Sequence, residues 1–181
     1  NIFLSGDFVA VDNIACGPSG TETAHANIRL TEGALISGCI TGNTPIGIIL
    51  GSGSGVFTNN TDTSLNDPSK FVSDNPDYAI GVYPAGQTNA GQLFIGNKVT
   101  VTYTTEYGTA PASDTAANGS IIYNEPTSPS QEGHVFSGWY KDEEFENAWD
   151  FATDTVTSKC CLYAKWFDEA TANVIKLIND D

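Results

Sequence analysis

The groups able to support catalysis or bind a metal are few, and their spacing is poor for either. Four cysteines (Cys16, Cys39, Cys160, Cys161) and two histidines (His25, His134) form no C-x-x-C pair and no zinc-ligand spacing. Cys160 and Cys161 are adjacent, so on a strand they point to opposite faces, which disfavours a bond between them. All four read as small apolar fillers, with a bridge between Cys16 and Cys39 left open. Asp142, Glu143, Glu144 and Glu146 form an acidic cluster. Paired carboxylates hydrolyse glycosides or hold calcium, but no EF-hand spacing accompanies these. A solvated acidic face is the expectation. Asn59-Asn60-Thr61-Asp62 also offers oxygen ligands, although turn capping explains that run more simply.

Gly51-Ser52-Gly53-Ser54-Gly55 has the glycine content of a phosphate cradle. It lacks the Lys-Ser/Thr and the following helix that such a loop needs, so it reads as a flexible turn. Ser, His and Asp are present without a G-x-S-x-G elbow, and His134 is expected to pack or hydrogen-bond at a strand start. Tyr78, Tyr83 and Tyr107 are loop-proximal rings able to stack on sugars, with strand packing as the plainer alternative. No catalytic residue, metal ligand or cofactor is assigned, and binding residues stay unknown. The chain is expected not to be an enzyme.

The elements carrying these residues are short strands. Gly (18 of 181 residues), Ser, Thr and Asn are abundant and charged residues make up 16%, a balance that favours strands and turns over long helices. Residues 1–57 break into IFLSG, DFVAVD, ANIRL, ALISGCI, IGIIL and GVF, punctuated by glycine. That pattern fits stacked coils of a β-solenoid or a small sandwich, and the terminal part of a solenoid fits best. Residues 58–77 are polar turns, with one helical turn predicted where Asp67 caps Pro68. YAIGVYPAG and GQLFIG predict a hairpin around a loop at 85–90. Val99, Val101 and Tyr103 alternate with Thr in KVTVTYTT, a clear strand, and a domain boundary is placed just before it, near Gly96-Asn97. The loop TAPASDTAANG comes next, then the strand SIIYNEP, a turn marked by Pro126 and Pro129, and the strand HVFSGWYK. An acidic helical turn at DEEFEN and a last strand CCLYAKW complete the module. In the tail, Val174, Ile175, Leu177 and Ile178 recur at helical spacing.

Residues 133–166 hold all three tryptophans. Rings of that size support a small core that would otherwise be marginal. Phe136, Tyr140, Trp149, Phe151, Tyr163 and Trp166 are the core candidates. Strand alternation sets Phe136 and Trp139 on opposite faces, so they share a core only if Gly138 marks a bulge or a strand end.

Acidic residues outnumber basic ones 22 to 7, for a net charge of −15. A field of that sign repels phosphate backbones, anionic lipid and heparin-like polyanions. No methionine is present, and the opening NIFLSGDF reads as the interior of a strand-rich domain, which suggests an excerpt or a processed chain. No signal peptide or membrane span is visible.

Several motifs run in a recognisable order: Val99-Thr100-Val101, Glu125-Pro126-Thr127 with Pro129 and Gly133, and Phe136-x-Gly138-Trp139-Tyr140 with Asp142. Trp149-Asp150-Phe151, Thr153-Asp154-x-Val156 and Leu162-Tyr163-Ala164-Lys165-Trp166 follow. This half resembles the Listeria–Bacteroides repeat, the internalin B-type B-repeat. The resemblance implies a β-grasp-like fold in bacterial surface or secreted proteins, in tandem with other modules. Departures from the family pattern stand at Glu106-Tyr107-Gly108, His134 and Cys160-Cys161. Residues 1–96, through IRLTEGALISGCITGNTPIGIIL and DPSKFVSDNPDYAIGVY, look like the last coils and cap of a right-handed parallel β-helix.

The expectation is a mainly β chain. The C-terminal coils and cap of a β-solenoid would span 1–96, a β-grasp-like α+β module 97–167, and a short helix or linker 168–181. It would be a non-catalytic segment of a bacterial cell-surface or secreted protein, extracellular or in the cell wall. There it would serve as spacer and adhesion module for an extracellular protein or glycan. It would need no cofactor, bind no nucleic acid and insert nothing into a membrane, and its oligomeric state is left open. The alternative is the accessory carbohydrate-binding part of a polysaccharide-acting β-helix enzyme.

Overall fold

The computed structural model describes residues 2–5, 8–11, 27–30, 35–38, 45–60, 62–63 and 66–170. The expectations for Cys16, His25, Cys39 and the helical tail from 171 onward lie outside them. The described chain is mainly β. Strand β1 (Ile2–Ser5) pairs antiparallel with β4 (Leu35–Gly38). Strand β2 (Phe8–Val11) pairs antiparallel with β3 (Asn27–Leu30), which runs parallel to β5 (Ile46–Leu50). β5 in turn runs parallel to β7 (Phe71–Ser73). The β3–β5 register sets Ile28 beside Ile48 and Leu30 beside Leu50. Like side chains therefore stack in columns, and Leu30 and Ile48 are fully buried. The turn ahead of β7 forms as predicted: Pro68–Lys70 is a 3-10 turn whose Asp67 carboxylate accepts from the Ser69 amide at 2.9 Å.

The predicted hairpin forms between β8 (Tyr78–Val82) and β9 (Leu93–Thr104), with the two-residue strand β6 (Gly55–Val56) also pairing to β9. β9 runs twelve residues, unbroken through Gly96-Asn97. Beyond that point it pairs antiparallel with β10 (Asp114–Ala117) and parallel with β12 (Cys160–Asp168). β11 (His134–Tyr140) closes the sheet against β12, giving the order β10-β9-β12-β11. One strand thus serves two cores. Leu93 and Ile95 enter a core with Leu30, Ile36, Ile48, Phe57 and Phe71. Val99, Val101 and Tyr103 enter another with Trp139, Val156 and Leu162. Residues 93–96 are buried on both faces of the strand. The second face is covered where a Cβ on Gly81 would stand 2.5 Å from Phe94 and 2.8 Å from Ala117. Only glycine fits there.

Three local expectations are corrected. SIIYNEP is no strand: residues 120–126 are irregular, and the strand falls earlier, at β10, within the stretch read as loop. Pairing to the open edge of β9 outweighs the poor β-propensity of Asp114-Thr115-Ala116-Ala117. DEEFEN forms a bent turn instead of a helical one. Phe145 there has φ 56, a left-handed value that interrupts helix geometry.

Candidate functional site

The aromatic run is organised by a bulge in β11. Its register to β12 shifts between Phe136 and Gly138, which brings Phe136 and Trp139 to the same face. Their ring centroids are 5.4 Å apart, and Phe136 meets Trp166 at 5.6 Å. Trp139 is 2% exposed and packs on Tyr103 at 5.1 Å. The Trp166 indole N–H donates to Thr105 Oγ1 at 3.0 Å. Trp149 and Phe151 pack against the same core, as expected. Tyr140 and Tyr163 do not. Leu162 and Ala164 point inward, so the pleat turns Tyr163 outward, and Tyr140 follows Trp139 in the same way. The outer face gathers Tyr140, Phe145 and Phe167 around Lys165, whose ammonium lies 4.8 Å from the Tyr140 ring.

His134 stands at the start of β11, stacked on Tyr107 at 3.7 Å. Its Nδ1 lies 3.4 Å from Asp168, at ion-pair range but out of hydrogen-bond alignment. Among the described residues no side chain hydrogen-bonds to that nitrogen. Tyr78 packs against the first core and Tyr83 lies 4.4 Å from Phe94, so each candidate tyrosine has a packing partner. In the acidic cluster the Asp142 carboxylate accepts from the amides of Glu146 (2.9 Å) and Asn147 (3.0 Å). Those amides, the Glu146 bond foremost, hold its carboxyl below the usual value. It is a turn cap. Gly51 to Gly55 form the turn between β5 and β6, with positive φ at Gly53 and Gly55.

The adjacent cysteines are both free and face opposite ways. Cys160 packs on the core, where burial pushes its thiol up. Cys161 differs. Burial alone would raise its thiol, but hydroxyl groups of Thr102, Thr104 and Tyr163 and the Lys159 charge together hold it below the ordinary value. Thr104 Oγ1 is 3.4 Å from its sulfur. It is therefore less inert than an apolar filler.

Two structural groups escaped the sequence. One is a buried amide network that pins the polar stretch to the start of β9. Asn60 Nδ2 donates to Asn66 Oδ1 at 2.7 Å, Asn66 Nδ2 to the Gly91 carbonyl at 2.8 Å, and Gln92 Nε2 to the Asn60 carbonyl at 2.7 Å. The other is Ser120, 2% exposed, whose Oγ accepts from the Val82 amide at 2.8 Å and donates to the Ile121 carbonyl at 2.7 Å. It ties β8 of the first core to the chain of the second. Both depend on partners more than 20 positions away, which no local pattern announces.

Among the described residues no helix is long and apolar enough to cross a membrane. The chain is similar to two proteins of Evansella cellulosilytica provisionally named as membrane proteins, one of them Gly-rich. It is 44% and 47% identical to them over 70 residues, which is 39% of this chain. It is also 26% identical to internalin H of Listeria monocytogenes over 167 residues, or 91% of this chain. The matched stretches cover 10%, 8% and 26% of those relatives' own lengths. Residues 100–165, which hold nearly all of the second core, match the family model of the Listeria-Bacteroides repeat domain, as their motifs indicated.

Proposed function

We propose that this chain is a non-catalytic segment of a bacterial cell-surface or secreted protein, acting as spacer and adhesion module. The observation that carries the reading is the placement of the tryptophans. Trp139, Trp149 and Trp166 all pack against the second core, where Trp139 meets Tyr103 and Trp166 meets Phe136 ring to ring. The repeat match over 100–165 and the similarity to internalin H support the surface assignment. In this reading residues 1–96 are the last coils and cap of a solenoid, supported by the parallel in-register stacking of β3, β5 and β7. Residues 97–167 are a β-grasp-like repeat, supported by the mixed sheet with its central parallel β9–β12 pair. Continuity of β9 suits a spacer, because a shared strand holds the second module at a fixed angle to the first.

Antibodies raised against the chain, applied to intact producing cells and to their medium, test the location. Labelling of cells or medium is the expected outcome, and antigen confined to the cytoplasm would refute the proposal.

A further inference from the structure

A cavity of about 700 Å³ among the described residues is an open groove between residues 109–113 and 124–130. Among the described residues, neither wall makes a backbone–backbone hydrogen bond, so both present unpaired peptide groups. The walls meet at one end where Gly108, at φ 72, passes so close that a Cβ would stand 2.7 Å from the Ser130 carbonyl oxygen. Tyr103 lies on the floor, 8% exposed, with its ring packed on Trp139. Its phenol is buried and has no hydrogen-bond partner. Burial, then the charge of Asp114 and of Cys160, pushes that phenol up to about 12, so it keeps its proton and can donate. An orphaned donor of this kind costs stability unless a ligand or water supplies an acceptor.

The rest of the lining restricts the ligand. Asp114 and Glu125 are the charged groups, and no cation lines the groove. On a chain of net charge −15 this rejects anionic ligands. Pro111, Pro126 and Pro129 remove amide donors from the walls, which breaks the ladder a bound peptide strand would need. Closely spaced hydroxyls answer every requirement, since each both donates to a carboxylate or carbonyl and accepts from a phenol. We propose that the groove floored by Tyr103, between residues 109–113 and 124–130, binds a neutral, hydroxyl-rich oligosaccharide. This rests on the adhesion reading above and names the class of its ligand.

The test is an amide-shift titration of the isotope-labelled 181-residue chain. The probes are neutral hexasaccharides of β-1,4-linked glucose, N-acetylglucosamine, mannose and xylose, with oligogalacturonate and a Lys-rich peptide for comparison. At least one neutral hexasaccharide is expected to shift amides of 109–113 and 124–130, and oligogalacturonate to leave them in place. Tyr103→Phe is expected to weaken that binding about ten-fold, the loss of one hydrogen bond, without lowering the melting temperature. Glu125→Gln, at an exposed site, weakens it without touching the core. Silence of those amides toward every neutral probe, or undiminished binding by both variants, overturns the proposal. A response to the peptide alone also overturns it, but leaves the adhesion reading standing.

Discussion

The rings of Phe136 and Trp139 meet edge to face with centroids 5.4 Å apart, although they lie three positions apart on one strand. A regular strand would send them to opposite faces. The bulge at Ser137 and Gly138 supplies the extra residue, and Gly138 carries the distortion at φ 122. A Cβ at 138 would meet nothing within 4 Å, so substitution there strains only the backbone. Gly138→Ala is expected to cost about 1–3 kcal/mol, the usual range for such conformations. Urea denaturation measures it, and an unchanged midpoint would show that the bulge needs no glycine.

Ser120 ties the two cores together, since its hydroxyl is the acceptor for the buried Val82 amide. Ser120→Ala leaves that amide orphaned, at about 1–3 kcal/mol. Hydrogen exchange at Val82 should accelerate more than at Leu162 in the middle of the second sheet. Equal acceleration at both would mean that the loss is global and the junction has no distinct role.

Sequence pattern revealed strands where alternation was strict, as at Val99, Val101 and Tyr103, and gave the bulge as a condition on Gly138. It failed where a partner decides. β10 has no β-branched run beyond Thr115 and exists because β9 offers an edge. SIIYNEP has the composition of a strand, but Ser120 bonds to Val82 and the following prolines leave no ladder. Tyr140 and Tyr163 were misplaced because composition marks a ring as apolar without fixing the face it occupies. The groove was invisible for a related reason. Its floor and its two walls come from separate segments, and the unpaired Tyr103 phenol exists only in the folded chain.

The cap at Asp142 makes a pH-dependent contribution. Its folded-state pKa is depressed by the Glu146 amide first, so the stabilisation is present above the unfolded value of about 3.9 and is lost as pH falls through the lower folded one. Wild type should melt above Asp142→Asn near neutral pH, and the gap should close in acid. A gap of constant size across that range would contradict the charged cap.

Cys161 and Cys160 should differ in reactivity despite being neighbours. The hydroxyl-lined Cys161 thiol is held low, while burial raises Cys160. Brief iodoacetamide treatment of the native chain, read by peptide mass spectrometry, should label Cys161 first. Preferential labelling of Cys160 would mean that the two faces of β12 are assigned the wrong way round.

The central claim is that the rings of Phe136, Trp139, Trp149, Phe151 and Trp166 are internal scaffold of the second module. Denaturant unfolding of Trp139→Ala tests it most directly, because Trp139 is 2% exposed at the centre of the ring cluster. The expected loss is about 3–5 kcal/mol, as for other buried aromatic truncations. Unfolding identical to wild type would contradict the claim and place that ring on an open surface.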